Sequence, residues 1–296
     1  MSKDDEHHGI VVGVDGSPES RVAVDWAARD AILRELPLTV VYVVPSPEML
    51  RWTEPDGLPR LADWHQAKAT DVLRVAVDTA EDASRKAGPL EIHGQVLAGA
   101  PIPTLVDLTK DADMIVVGCR GVGAVRRLLL GSVSAALVHH AHCPVAVIHD
   151  EDPLMPNPAR APILLGVDGS PASELATEIA FEEADRRGVD IIAVHAWSDA
   201  NLSDFPPVDS SVMEALGDEI LSDRLAGWQE RHPRVRVHPI AVTDRPAEML
   251  IKNSEQVQLV VVGSHGRGGF AGMRLGSVGS AVAQSSRMPV IVARGH

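Results

Sequence analysis

Short apolar runs alternate with longer mixed segments along this chain, and the alternation itself predicts the elements. Leu38 to Val44, LTVVYVV, is almost unbroken in its apolar character, as expected of a strand covered on both faces. Residues 9–14 form a similar run that ends in Asp15-Gly16-Ser17-Pro18. That order reads as strand, turn and helix, with Ser17 suited to the cap and Pro18 to the first helical position. Val22, Trp26, Ala27 and Leu33 then recur at roughly helical spacing. Residues 45–60 hold four prolines and read as loop. The pattern predicts helices over 61–86, 101–110 and 132–141, and strands over 91–97, 113–117 and 144–148.

The pattern then restarts. Residues 149–161, HDEDPLMPNPARA, are acidic and proline-rich and read as linker. DGSP returns at 168–171, an offset of 153 (168 − 15) from its first occurrence. Strands are expected at 163–167, 189–196, 235–242, 258–262 and 289–293, with a long loop at 199–211. Helices are expected at 212–231, 246–253 and 277–285. The chain therefore divides into residues 1–150, a linker at 151–161, and residues 162–296. Strands alternating with helices imply a parallel, doubly wound sheet in each half. Such sheets bind ligands beyond the carboxyl ends of the strands, where the winding reverses.

The strongest chemical signal is also duplicated. Residues 116–134 read VVGCRGVGAVRRLLLGSVS and residues 261–280 read VVGSHGRGGFAGMRLGSVGS. Gly118, Gly121, Gly131 and Ser132 keep the spacing G-x2-G-x9-G-S, and Gly263, Gly266, Gly276 and Ser277 repeat it 145 residues on (263 − 118). A strand running into glycines can present backbone N–H groups as a concave anion nest. Gly-Ser before the next apolar run adds a helix start, where free amides favour a phosphate.

The repeat resembles the universal stress protein family in its tandem form, and looks closest to the mycobacterial type. The likeness rests on VDGS at the first strand end of each half together with G-x2-G-x9-G-[ST] after the fourth. It covers nearly the whole chain outside the N-terminal tail and linker. The resemblance implies two tandem doubly wound five-stranded parallel sheets of order 3-2-1-4-5, an adenine nucleotide alpha hydrolase-like fold. It implies ATP as ligand, with Mg²⁺, and phosphates on the amides of Gly121, Gly131 and Ser132 and of Gly266, Gly276 and Ser277. Adenine would lie near Val43 and Ala196, ribose or a cation at Asp15 and Asp168, and Val117 and Val262 would wall the nucleotide. Gly13, Gly16, Ser17, Gly118, Val133 and Ser134 complete the first expected site. Gly166, Gly169, Ser170, Gly263, Val278 and Gly279 complete the second. The copies differ where Ser134 faces Gly279 and where Arg120 faces His265. The role implied is a nucleotide-dependent regulator of stress response or growth, a cytoplasmic homodimer with a regulatory protein partner.

Composition narrows the alternatives. The chain has 296 residues, 45% of them hydrophobic, enough for two cores. Its net charge of −14 argues against nucleic acid and anionic lipid, and 3% aromatics argue against base-stacking platforms. G-x4-G-K-[ST] does not occur, so the P-loop lysine is missing. No side chain in either copy is an evident general base, and a weak ATPase or nucleotidyl-transfer enzyme using the same cradle is the second reading. His139, His140, His142 and Cys143 cluster in sequence, but a helix end passing into a strand makes such side chains diverge, and no metal is expected. Cys119 lies in the first glycine loop. It reads either as a reactive thiol or, with Ser264 as its counterpart, as a position needing a small residue. The tail MSKDDEHHG has no apolar stretch of signal type, and the two cysteines form no disulfide framework. Trp26, Trp64, Trp197 and Trp228 read as core or edge packing.

Overall fold

The computed structural model describes residues 7–46, 48, 59–121, 130–149, 157–196, 210–242, 245–266 and 275–295. The chain splits into two compact units, one within 1–150 and one within 151–295.

The first unit runs β1 (Ile10–Val14), α1 (Pro18–Arg34), β2 (Leu38–Val44), α2 (Pro59–Ala87), β3 (Ile92–Ala98), α3 (Pro101–Leu108), β4 (Met114–Gly118), α4 (Ser132–His140) and β5 (Val145–Ile148). Its strands are parallel in the order β3-β2-β1-β4-β5. The second unit repeats this with β6 (Ile163–Val167), α5 (Pro171–Arg187), β7 (Ile191–Ala196), α6 (Ser210–Arg231), β8 (Val237–Val242), α7 (Pro246–Ser254), β9 (Leu259–Gly263), α8 (Ser277–Ser285) and β10 (Val290–Ala293). Its order is β8-β7-β6-β9-β10, also parallel. Both orders are the expected 3-2-1-4-5.

Burial explains the apolar runs. Ile10, Val11 and Val12 of β1 and Met114, Ile115 and Val116 of β4 are fully buried, because helices cover both faces of these central strands. β3 is an outer strand with His93 and Gly94 exposed, which is why IHGQVLA is more polar than its neighbours.

The turn after each first strand is built twice from one local code. Asp15 Oδ1 accepts from the Ser17 amide at 2.9 Å, and Ser17 Oγ accepts from the Ser20 amide at 3.1 Å. Asp168, Ser170 and Ser173 repeat these bonds at 2.9 and 3.2 Å. Each serine cap stabilises its helix by about 1 kcal/mol. A buried ion pair recurs in the last turn, Asp30 with Arg34 and Glu183 with Arg187, each at 2.8 Å. Trp64, expected to pack, is instead 54% exposed on α2.

Cys143 enters β5 with 5% of its surface exposed. Burial, the leading cause, with a smaller push from Asp113, raises its thiol from 9.0 to about 12. The unfolded chain therefore loses this proton above pH 9, whereas the folded chain keeps it until near pH 12. Stability should fall as pH rises through that window. Cys143→Ala should flatten the pH slope of urea unfolding between these limits. In the native protein, Cys143 should resist alkylation at pH 8.

Candidate functional site

A cavity of about 530 Å³ opens at the carboxyl ends of β1 and β4, where the winding of the first unit reverses. It is bordered by Gly13, Asp15, Val43, Val117, Gly118, Gly121, Gly131, Ser132, Val133 and Ser134, all expected from the sequence. Gly16 and Ser17 do not border it. Gly16 holds the turn at φ +86°, a conformation side chains rarely adopt. Ser17 is buried and caps α1.

The two signature turns meet. A Cβ added at Gly121 would collide with Asp15 Oδ2, and one at Gly266 would lie 2.6 Å from Asp168 Oδ2. The acidic turn and the glycine loop thus touch in both units, 106 residues (121 − 15) and 98 residues (266 − 168) apart in sequence. The last strand glycines are equally tight, since Cβ atoms at Gly118 and Gly263 would strike the backbone of Glu19 and of Ala172 at 2.9 and 2.8 Å.

The loop closes on itself by main-chain bonds. The Gly131 amide donates to Cys119 O at 2.8 Å, and the Gly276 amide to Ser264 O at 2.7 Å. These two amides were expected to hold phosphate, but loop closure occupies them. A loop that must return to its own strand end needs such a clamp, and sequence spacing does not separate clamping amides from free ones. The Gly121 amide sits beside Gly131, and the Gly266 amide beside Gly276, at 3.6 and 3.5 Å from the Cβ each glycine lacks. The first-turn amides of Ser132, Val133 and Ser134 have no carbonyl one turn behind them. Gly121 and this turn therefore form the amide cradle of the first unit. Ser134 Oγ is buried and donates to Gly118 O at 2.7 Å. Its hydroxyl braces the strand end, a bond that Gly279 does not provide.

In the second unit Gly166 faces Leu250 and Val262 as Gly13 faces Leu105 and Val117. Gly169 repeats the turn at φ +74°. Ser170 caps α5 and its hydroxyl also donates to His265 O at 3.0 Å, tying the glycine loop to the acidic turn. Ala196 ends β7, and Ser277, Val278 and Gly279 open α8.

Family models identify the chain at this point: the model described as the universal stress protein family matches residues 7–149 and 160–294. The chain belongs to the universal stress protein family. It is 53% identical over 294 residues to universal stress protein Rv2623 of Mycobacterium tuberculosis (strain ATCC 25618 / H37Rv), covering 99% of both chains. It is 49% identical, with the same coverage, to universal stress protein Rv2005c of that strain. The crystal structure of a universal stress protein from Archaeoglobus fulgidus DSM 4304 shares the fold, with a TM-score of 0.71 over 98% of this chain and 99% of that one at 20% identity.

Several lining residues of this universal stress protein were not picked out by the motifs. Pro101 and Leu105 come from α3, and Val41 and Tyr42 from β2. Tyr42 stands opposite Val14 in the β1–β2 register. Its hydroxyl is pushed above its ordinary value, first by burial and then by the charge of Asp15. Strand register is the signal that finds it, because the residue paired with the end of β1 must flank the Asp15 turn. His195 takes the place of Tyr42 in the second unit, with Nδ1 donating to Val167 O at 2.7 Å. Two cations also border the cavity, Arg120 and Lys68. Arg120 lies 3.6 Å from Glu19, and its Nε is buried without a hydrogen-bond partner. His265, at the matching position, has a buried Nε2 in the same state. No group of three or more His, Cys, Asp or Glu suited to a metal ion occurs among the described residues. No helix among them is long and apolar enough to cross a membrane.

Proposed function

We propose that this universal stress protein binds ATP with Mg²⁺ in the cavity of the first unit and in the matching cradle of the second. The bound nucleotide then biases conformation or partner surface, in a regulator of stress response or growth. The observation that carries this reading is the contact of Asp15 with Gly121 beside the open amides of α4, over a cavity of about 530 Å³. That volume is within the usual range for small-ligand sites. Open amides at a helix start favour phosphate. The apolar stretch formed by Gly13, Val41, Leu105 and Val117 suits a planar base. A cation bridging Asp15 to phosphate oxygens would relieve the repulsion between them.

Binding and regulation are favoured over turnover because Asp15 is the one carboxylate among the described lining residues, which include no histidine. Among the described lining residues no carboxylate pair or histidine base for hydrolysis is assembled. We infer cytoplasmic residence from a sequence whose two cysteines form no disulfide framework, and a homodimer from the family resemblance. Mass spectrometry of nucleotide released from the purified protein, counted per chain, tests the central reading. ATP or ADP is the expected finding. Protein that carries no nucleotide and shows no thermal shift with ATP and Mg²⁺ would refute it.

A further inference from the structure

We propose that Lys68 makes the first cavity selective for nucleotides with more phosphates, by leaving the face of Trp64 to meet the terminal phosphates. This rests on the nucleotide reading above and adds a selectivity to it. Lys68 is half-buried on α2 and borders the cavity. Its ammonium sits 5.4 Å from the ring centroid of Trp64, one helical turn back, and that residue is 54% exposed.

A cation over an indole occurs again in the second unit, where Arg231 lies 3.6 Å from the Trp228 ring centroid. In a chain of net charge −14, several other basic side chains of the first unit rest on carboxylates: Arg29 on Asp25, Arg34 on Asp30, Lys110 on Asp107. Asp71, one turn beyond Lys68, is engaged by Arg74 at 2.8 Å. Among the described residues Lys68 forms no ion pair.

An ammonium over an exposed ring is weakly held. A charge-assisted bond to phosphate is stronger, so an anion in the cavity outcompetes the indole. The root of the side chain is already in place. Val72, one turn further along α2, packs on Gly16 at 3.0 Å from the Cβ that glycine lacks. Lys68 therefore rises beside the Asp15–Gly16 turn, and only its flexible stem must move. Arg120 borders the same cavity. The second copy carries Met213 at the corresponding offset of 145 (213 − 68), and His265 in place of Arg120. Selection by phosphate number is thus a property of the first unit.

The test uses the full chain carrying Gly266→Glu, which confines binding to the first unit, titrated calorimetrically with AMP, ADP and ATP in Mg²⁺. Lys68→Ala should weaken ATP about tenfold and AMP less than about twofold, and Lys68→Arg should restore most of the loss. Trp64 emission, taken as the difference from Trp64→Phe, should change with ATP and much less with AMP. An equal loss for all three nucleotides, or no loss at all, overturns the role of Lys68 and leaves the nucleotide reading standing. Failure of the unsubstituted chain to bind any of them removes both.

Discussion

Gly121→Glu should empty the first cradle and Gly266→Glu the second, so that each single variant binds half the ATP of the unsubstituted chain and the double variant binds none. The reason is local. The first atom added at Gly121 falls on Asp15 Oδ2, and at Gly266 it falls 2.6 Å from Asp168 Oδ2. A glutamate adds a second negative charge beside that carboxylate, at the cradle meant for phosphate. The resulting loss should exceed about 3 kcal/mol, over a hundredfold in affinity. Gly121→Ala probes the steric part alone and should weaken binding by a smaller factor. Calorimetric stoichiometry reads the result, with near-unchanged circular dichroism as the control for folding. Stoichiometric ATP on the double variant would place the ligand elsewhere.

The fold was legible because apolar runs and turn signals repeat in register. β2, β6 and α8 match their expected limits, and the expected strand order holds in both units. β3 was readable only as a polar-tinged run, since an outer strand keeps one side toward water. The backbone of the candidate site was legible from glycines, because glycine marks places that admit no side chain. Side chains arriving from elsewhere were not. Tyr42 reaches the site through strand pairing, Leu105 through packing of α3, and Lys68 through the position of α2 over Gly16. None of them belongs to a local motif. Ser17 caps its helix as the sequence suggests, and Ser170 does the same in the second unit, whereas the bracing of the strand end by Ser134 shows only in three dimensions. Residues 122–129 and 267–274, the interiors of both x9 segments, lie outside the described residues. Trp197, most of the loop expected at 199–211 and most of the linker at 151–161 also lie outside them.

Gly118→Ala and Gly263→Ala should destabilise the chain, whereas Gly227→Ala should stabilise it, although each change adds the same methyl group. At Gly118 the methyl would approach the carbonyl carbon and oxygen of Glu19 at 2.9 and 3.0 Å, and at Gly263 those of Ala172 at 2.8 and 2.9 Å. The obstacle in both cases is backbone in the first turn of α1 or α5, fixed by its serine cap. Neither that turn nor the buried strand end can yield cheaply, and overpacking of this kind costs about 2 kcal/mol or more. For a unit of roughly 150 residues this lowers Tm by about 5 °C. At Gly227, within α6, a Cβ meets nothing within 4 Å. There the helix gains up to about 1 kcal/mol from the residue of highest propensity. Urea unfolding of the three variants measures both signs. If Gly118→Ala and Gly263→Ala prove as stable as the unsubstituted chain, the glycine loop does not abut the helix start. The cradle would then lack the close packing that brings its amides up to Asp15 and Asp168.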